Sequence, residues 1–243
     1  MNWKHRTSMQ WLQRRRGKLT ASAIHSLVPY TATGRPKKIT DTDLMKVYAK
    51  MQAIPTEDDC ISSGAAARGH IMEPYAIESF NQSITWAEKL FHWDDVCIYG
   101  DPNQHPLLAW SPDALSVPEN SHDLPLSMGE VKSYAADKHL LKAMSDPMTL
   151  EERWQIATAM AVSPSIDIAY LILFNPDMPA SMQLYFHRYT RLELKEEIKT
   201  VCEIERSMID LIDRLPLPTG YSSCATTEQI WKENQFDQEI TPS

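Results

Sequence analysis

The residues in this chain best equipped for chemistry are Asp113, in Ser111-Pro112-Asp113-Ala114-Leu115, and the tripeptide Glu130-Val131-Lys132, in Met128-Gly129-Glu130-Val131-Lys132-Ser133-Tyr134. Side chains alternate along a strand, so Glu130 and Lys132 share one face while Val131 points the other way into a core. Two carboxylates can hold a hard divalent cation through oxygen, and an ammonium beside them can orient or deprotonate an attacking water. A Pro-Asp corner followed by such a strand is the minimal set for magnesium-dependent cleavage of a phosphodiester. Glu-x-Lys by itself is also what a surface ion pair on an amphipathic strand looks like. The rest of the chain has to decide between them.

A third carboxylate, Glu73, lies in Arg68-Gly69-His70-Ile71-Met72-Glu73-Pro74-Tyr75-Ala76-Ile77-Glu78-Ser79-Phe80. On a helix it aligns with Ile77 and Phe80 at i+4 and i+7, a face expected to be buried. A carboxylate pointing inward is costly unless it meets a cation or several donors. The blander reading is that Pro74 opens the helix and Glu73 sits at its N-terminus, where negative charge is favoured anyway. Of the eight histidines none pair as His-x-x-x-His, and His92, His105, His139 and His187 read as structural or exposed. No Gly-x-Ser-x-Gly elbow marks an acyl-transfer nucleophile. The cysteines, Cys60, Cys97, Cys202 and Cys224, show no Cys-x-x-Cys spacing. That argues against a zinc ribbon, an iron–sulfur cluster or a disulfide scaffold, and for reduced, partly buried small hydrophobes.

The net charge of −8 at first disfavours a polyanionic partner, but its distribution reverses that impression. Residues 1 to 38 hold nine Lys or Arg (Lys4, Arg6, Arg14, Arg15, Arg16, Lys18, Arg35, Lys37 and Lys38) and no Asp or Glu. The remainder has 15 basic against 32 acidic residues. So sharp an asymmetry points to a local patch for a polyanion on an acidic body. Hydrophobic residues at 43% and charged residues at 23% are ordinary for a globular protein, and 243 residues can bury a substantial core. The longest apolar run, Ile168 to Phe174, is far too short to span a bilayer and reads as a buried strand. With no apolar stretch following the first basic residues, the expectation is a cytoplasmic protein that does not engage membranes.

The elements that must position these residues can be read coarsely. A helical entry segment runs from Trp11 to about Val28, with Thr20 a candidate N-cap. Helical spacing follows over Asp41–Ala53 and Ser63–Phe80, the second complicated by Pro74. Glu88–Tyr99 and Leu107–Trp110 read as strands around the turn Gly100-Asp101-Pro102-Asn103, and Leu126–Tyr134 as the Glu-x-Lys strand. Leu150–Val162 is a helix, Ala169–Phe174 a strand with Met182–Tyr189 its antiparallel partner, and Arg191–Leu215 a long charged helix. This order predicts an α/β (α+β) fold with a mixed sheet flanked by helices. The expectation is one domain over 1–215 and a disordered tail over 216–243, where Pro, Ser, Thr and Gln dominate.

Together these pieces resemble, in order, the lambda-exonuclease (YqaJ-type) family of viral recombination nucleases, within the restriction-endonuclease-like PD-(D/E)xK superfamily. The resemblance runs from Trp11 to about Asn175. It comprises Trp11-x-x-x-Arg15-x-Gly17-x-x-Thr20-Ala21-Ser22, Gly69-x-x-x-Glu73-Pro74-x-Ala76, Ser111-Pro112-Asp113, Glu130-Val131-Lys132 and Trp154-Gln155-Ile156. It implies that Asp113 and Glu130 bind two Mg2+ ions (Mn2+ a possible substitute), helped by Glu73 and the Val131 carbonyl. Lys132 would then serve the water, and Gln155 would support the site. It further implies that Arg15, Ser22 and Ser111 hold the 5′-phosphate of a recessed strand, in agreement with the charge map. The implied activity is 5′-to-3′ degradation of linear double-stranded DNA ends in phage-type recombination. A toroidal homotrimer and a partner single-strand annealing protein are implied with it. The alternatives are an endonuclease of the same superfamily, or a catalytically degenerate DNA-binding protein; the scattered cysteines disfavour a Cas4-like iron–sulfur nuclease. The chain departs from the family pattern in Ala114 for glycine, in a longer gap over Val117–Pro125, and in Ala157 where the family helix carries a second glutamine.

Overall fold

The run Ile168–Phe174 is apolar at every position because both of its faces are covered. Ala169, Leu171 and Leu173 belong to one hydrophobic cluster, and Tyr170, Ile172 and Phe174 to a second. This is the pattern of a strand with packing on both sides of its sheet. The computed structural model describes residues 14–31, 35, 37–52, 63–84, 89–94, 96–119, 121–145 and 148–214. In chain order the elements are β1 (Leu19–Thr20), α1 (Ala21–Ile24), α2 (Asp41–Gln52), α3 (Ser63–Ser83), β2 (Phe91–His92), β3 (Ile98–Tyr99), β4 (Leu108–Trp110) and β5 (Ala114–Leu115). They continue with β6 (Ser127–Lys132), α4 (Ala136–Met144), α5 (Leu150–Val162), β7 (Ile168–Phe174), β8 (Leu184–Thr190) and α6 (Lys195–Arg214). Short 3-10 turns follow α1 and precede β8.

The main sheet has the order β2-β5-β6-β7-β8, with β6 and β7 parallel and the other pairs antiparallel. A small sheet, β1-β4-β3, stands beside it. Helix α3 supplies Ala76, Ile77 and Phe80 to one face of the main sheet, and α5 supplies Trp154, Ile156 and Met160 to the larger core on the other. Helix α6 packs Val201, Ile204, Met208 and Leu211 into that same core. The expected mixed sheet flanked by helices is therefore what the chain forms. Among the described residues no helix is long and apolar enough to cross a membrane.

Three expectations are corrected. The segment Glu88–Tyr99 is not one strand: Phe91–His92 joins the main sheet and Ile98–Tyr99 the small one. Their partners, β5 and β4, are themselves separated at Ser111-Pro112-Asp113, where Pro112 has no N–H to continue a ladder. Thr20 stands at the N-cap position of α1 but makes no side-chain cap, because Leu19–Thr20 pair with β4 as a strand. Pro74 lies inside α3 rather than at its start. One helix, α4, was not anticipated: the side chains it buries are His139 and Lys142, while Leu141 and Met144 are exposed, so it lacks the usual apolar period. The tail from 216 onward, residues 1–13 and Cys60 and Cys224 lie outside the described residues.

Candidate active site

Pairing between β5 and β6 sets the centre. Ala114 lies opposite Gly129, which brings Asp113 to the middle of β6, and its Oδ2 accepts the Val131 N–H at 2.8 Å. A Cβ on Gly129 would stand 2.9 Å from Leu90 Cδ1 and 3.2 Å from Ile172 Cδ1, so a side chain there would press on the tips of both residues. Val131 packs with Ala76, Ile77 and Phe80, while Glu130 and Lys132 take the opposite face, as strand alternation requires. Asp113 and Glu130 are buried, at 5% and 9% exposure. The Lys132 ammonium donates to Glu130 Oε1 at 2.8 Å and to Gln155 Oε1 on α5 at 2.9 Å. Burial alone would lower the Lys132 pKa, but the Glu130 and Asp113 carboxylates outweigh it and hold the ammonium above its ordinary range. Sequence order had suggested these four residues as a unit, and the fold brings them together.

Position 157 has a plain explanation. At about 100° per residue it stands some 200° around α5 from Gln155, and Ala157 is fully buried in the larger core among Trp154, Ile156 and Met160. The alanine fills core space at this position.

Glu73 is 5% exposed on α3, facing inward as its helical register predicted. Its Oε1 is 2.8 Å from His70 Nδ1, and its Oε2 is 3.5 Å from His92 Nε2. His92 lies opposite Ala114 in the β2–β5 pair, and the next residue, Trp93, donates its N–H to the Asp113 carbonyl at 3.0 Å. Glu73 therefore reaches β2, the strand that pairs with β5 just after Asp113. Neither histidine stood out in the sequence, although the i,i+3 spacing of His70 and Glu73 on a helix was a usable signal. The other histidines named are structural or exposed as expected: His105 Nδ1 meets Glu205 Oε2 at 2.7 Å, His139 Nε2 meets the Met182 carbonyl at 3.1 Å, and the exposed His187 stacks on Tyr189.

The third group gathers around the end of β4. Gly17, at φ +74°, takes the left-handed conformation that favours glycine and turns the chain so that the Arg15 carbonyl accepts the Lys18 N–H. The Arg15 guanidinium then donates to Ser22 Oγ at 2.8 Å, and Ser22 Oγ lies 3.3 Å from Thr20 Oγ1. The parallel β1–β4 register carries this turn to the position where β4 runs into Ser111. Cys97 joins the two sides: burial pushes its thiol pKa up, opposed by the Arg15 charge and the neighbouring Ser111 hydroxyl. Lys18 adds a cation 5.5 Å from the centre of the Tyr99 ring. A guanidinium among hydroxyls is a workable anion pocket.

Among the described residues no three His, Cys, Asp or Glu side chains form a preformed metal cage. That donor set still fits magnesium, which binds through one or two carboxylates, keeps several waters, and takes further oxygens from a phosphate. The observation in favour is the oxygen chemistry itself: two buried carboxylates, Asp113 and Glu130, gathered around one ammonium, with the Val131 backbone beside them.

The fold has known counterparts. An alkaline exonuclease from Laribacter hongkongensis is similar at 18% identity, covering 85% of this chain and 97% of its own, with a TM-score of 0.57, and so is its complex with dAMP. A phage-related exonuclease from Haemophilus somnus 129PT is similar at 11% identity, covering 83% and 97%, with a TM-score of 0.55. A comparison with curated proteins gives no match. Residues 10–165, a span that contains every site residue described above, match the model of the YqaJ-like viral recombinase domain, and the chain belongs to that family.

Proposed function

We propose that the protein is a metal-dependent exodeoxyribonuclease that degrades one strand of linear duplex DNA from a 5′-phosphorylated end. The observation that carries this reading is the convergence of Asp113, Glu130, Lys132 and Gln155 on one face of β6, in a chain of the YqaJ-like family. In this reading Asp113, Glu130 and the Val131 carbonyl hold Mg2+, with Glu73 contributing from α3. Bound there, Mg2+ would supply Lewis acidity toward the phosphate and toward an attacking water. Lys132 donates hydrogen bonds and presents positive charge where the phosphorane develops, and Gln155 holds the ammonium in place by accepting a hydrogen bond from it. Arg15, Ser22 and Ser111 bind the terminal 5′-phosphate and so set which bond reaches the centre. A homotrimer around the DNA and an annealing-protein partner belong to the same proposal.

The test compares substrates. Magnesium-dependent nucleotide release is expected from linear duplex carrying 5′-phosphates, with covalently closed circles spared. In Arg15→Ala the preference for 5′-phosphate over 5′-hydroxyl ends should shrink about tenfold or more, the loss of a charge-assisted contact. Cutting of closed circles would replace this reading with an endonuclease, and absence of any release would replace it with a DNA-binding role.

A further inference from the structure

We propose that Tyr99 is a positioning residue for Arg15: it holds the turn that presents the guanidinium and so sets how strongly a 5′-phosphate is preferred. The proposal rests on the end-binding reading of Arg15, Ser22 and Ser111, but the residue it adds lies on another strand, β3. The Tyr99 hydroxyl donates to the Arg14 carbonyl at 2.8 Å, one peptide unit before Arg15. Its ring centre lies 5.5 Å from the Lys18 ammonium, at the other end of the turn and within reach of a cation–π contact. That ammonium also donates to the Pro106 carbonyl at 2.7 Å. One side chain therefore touches both ends of the segment that carries Arg15.

The small sheet explains this placement. Strands β1 and β3 flank β4, and Thr20 and Tyr99 pair with the same residue, Ala109, from its two sides. The β1 side holds the tip of Arg15: the guanidinium donates to Ser22 Oγ at 2.8 Å, and Ser22 Oγ lies 3.3 Å from Thr20 Oγ1. The β3 side holds its backbone through Tyr99. Between them the Gly17 N–H donates to the Met51 carbonyl at 2.9 Å, which ties the turn to the end of α2. A guanidinium whose backbone and tip are both held loses less conformational freedom on gripping a phosphate, and that raises affinity. Tyr99 is 45% exposed, so removing its hydroxyl empties no core space, and the effect falls on binding rather than on folding.

End preference can be read without cleavage. Full-length wild type, Tyr99→Phe, Arg15→Ala and the double variant are titrated, in the presence of a metal chelator, with linear duplexes ending in 5′-phosphate or 5′-hydroxyl. Wild type should favour the phosphorylated duplex. Tyr99→Phe should shrink that preference about threefold to tenfold, the range of one hydrogen bond, with affinity for hydroxyl ends and the unfolding midpoint unchanged. With magnesium restored, its KM for phosphorylated duplex should rise while kcat holds. In the Arg15→Ala background, Tyr99→Phe should change the preference no further, because it acts through Arg15. Equal weakening on both duplexes, or a full further loss in the Arg15→Ala background, would overturn the role. Preference lost in Arg15→Ala but kept whole in Tyr99→Phe removes the positioning and leaves the pocket. No preference in wild type removes the pocket, and the role of Tyr99 with it.

Discussion

Lys132 and Lys142 each place an ammonium 2.8 Å from a glutamate, yet the two pairs stand in different settings. Lys142 and Glu152 are sealed between α4 and α5, with side chains 8% and 3% exposed. Glu152 is saturated there: Lys142 donates to both oxygens, at 2.8 and 2.9 Å, the Tyr134 hydroxyl to one, and the Thr149 N–H, at 2.5 Å, and hydroxyl to the other. The Lys132 and Glu130 side chains are 22% and 12% exposed, and the lysine is shared with Gln155. A buried pair whose carboxylate is held by several donors is a brace; the same chemistry left open to solvent is a place where substrate and cation can enter. The two are mechanically linked. Glu152 closes the capping box of α5 and ties it to Tyr134, two residues beyond Lys132, and Gln155 follows on the same helix.

Breaking the brace should unfold the protein before it harms the chemistry directly. Lys142→Ala leaves Glu152 as a buried carboxylate without its cation and should cost about 3–5 kcal/mol in denaturant unfolding. A loss below 1 kcal/mol would show that the pair is no brace. The same series against pH sharpens the point. Burial would raise the Glu152 pKa, but the Lys142, Thr149 and Tyr134 hydrogen bonds bring it down to about 2, from 4.5. Its folded pKa is thus below its unfolded one, so its stabilisation is complete above about pH 4.5 and is lost as pH falls toward 2. That loss is of order 3 kcal/mol, and Glu152→Gln should flatten this limb of the profile. Smallest is Ala157→Gln. Restoring the family's second glutamine forces an amide into a filled core and should cost about 1–3 kcal/mol, with no gain in turnover. A gain would mean that position 157 faces the centre after all.

Much of this was legible before the fold. Alternation on β6 separated Glu130 and Lys132 from Val131, and the 3.6-residue period put Glu73 on the inner face with Ile77 and Phe80. The large elements from Leu150 onward stood out because their apolar periods are long. What stayed hidden depends on contacts between distant segments. No local pattern reveals that the expected strand Glu88–Tyr99 is divided between two sheets, whose partner strands part at Pro112. Helix α4 carries no apolar signature because the side chains it buries are a lysine and a histidine. His92 gave no signal because its neighbours, Glu73 and Ala114, come from a helix and another strand. Position 157, where the family helix carries a second glutamine, is buried among Trp154, Ile156 and Met160, a setting that no local sequence pattern announces.

The most direct measurement is magnesium-dependent hydrolysis of 5′-phosphorylated linear duplex by wild type and Lys132→Ala, with the unfolding midpoint of each recorded beside it. The variant should lose at least about 10³-fold in rate, with a midpoint close to wild type and DNA binding retained. Undiminished hydrolysis by a folded Lys132→Ala protein would contradict the nuclease reading.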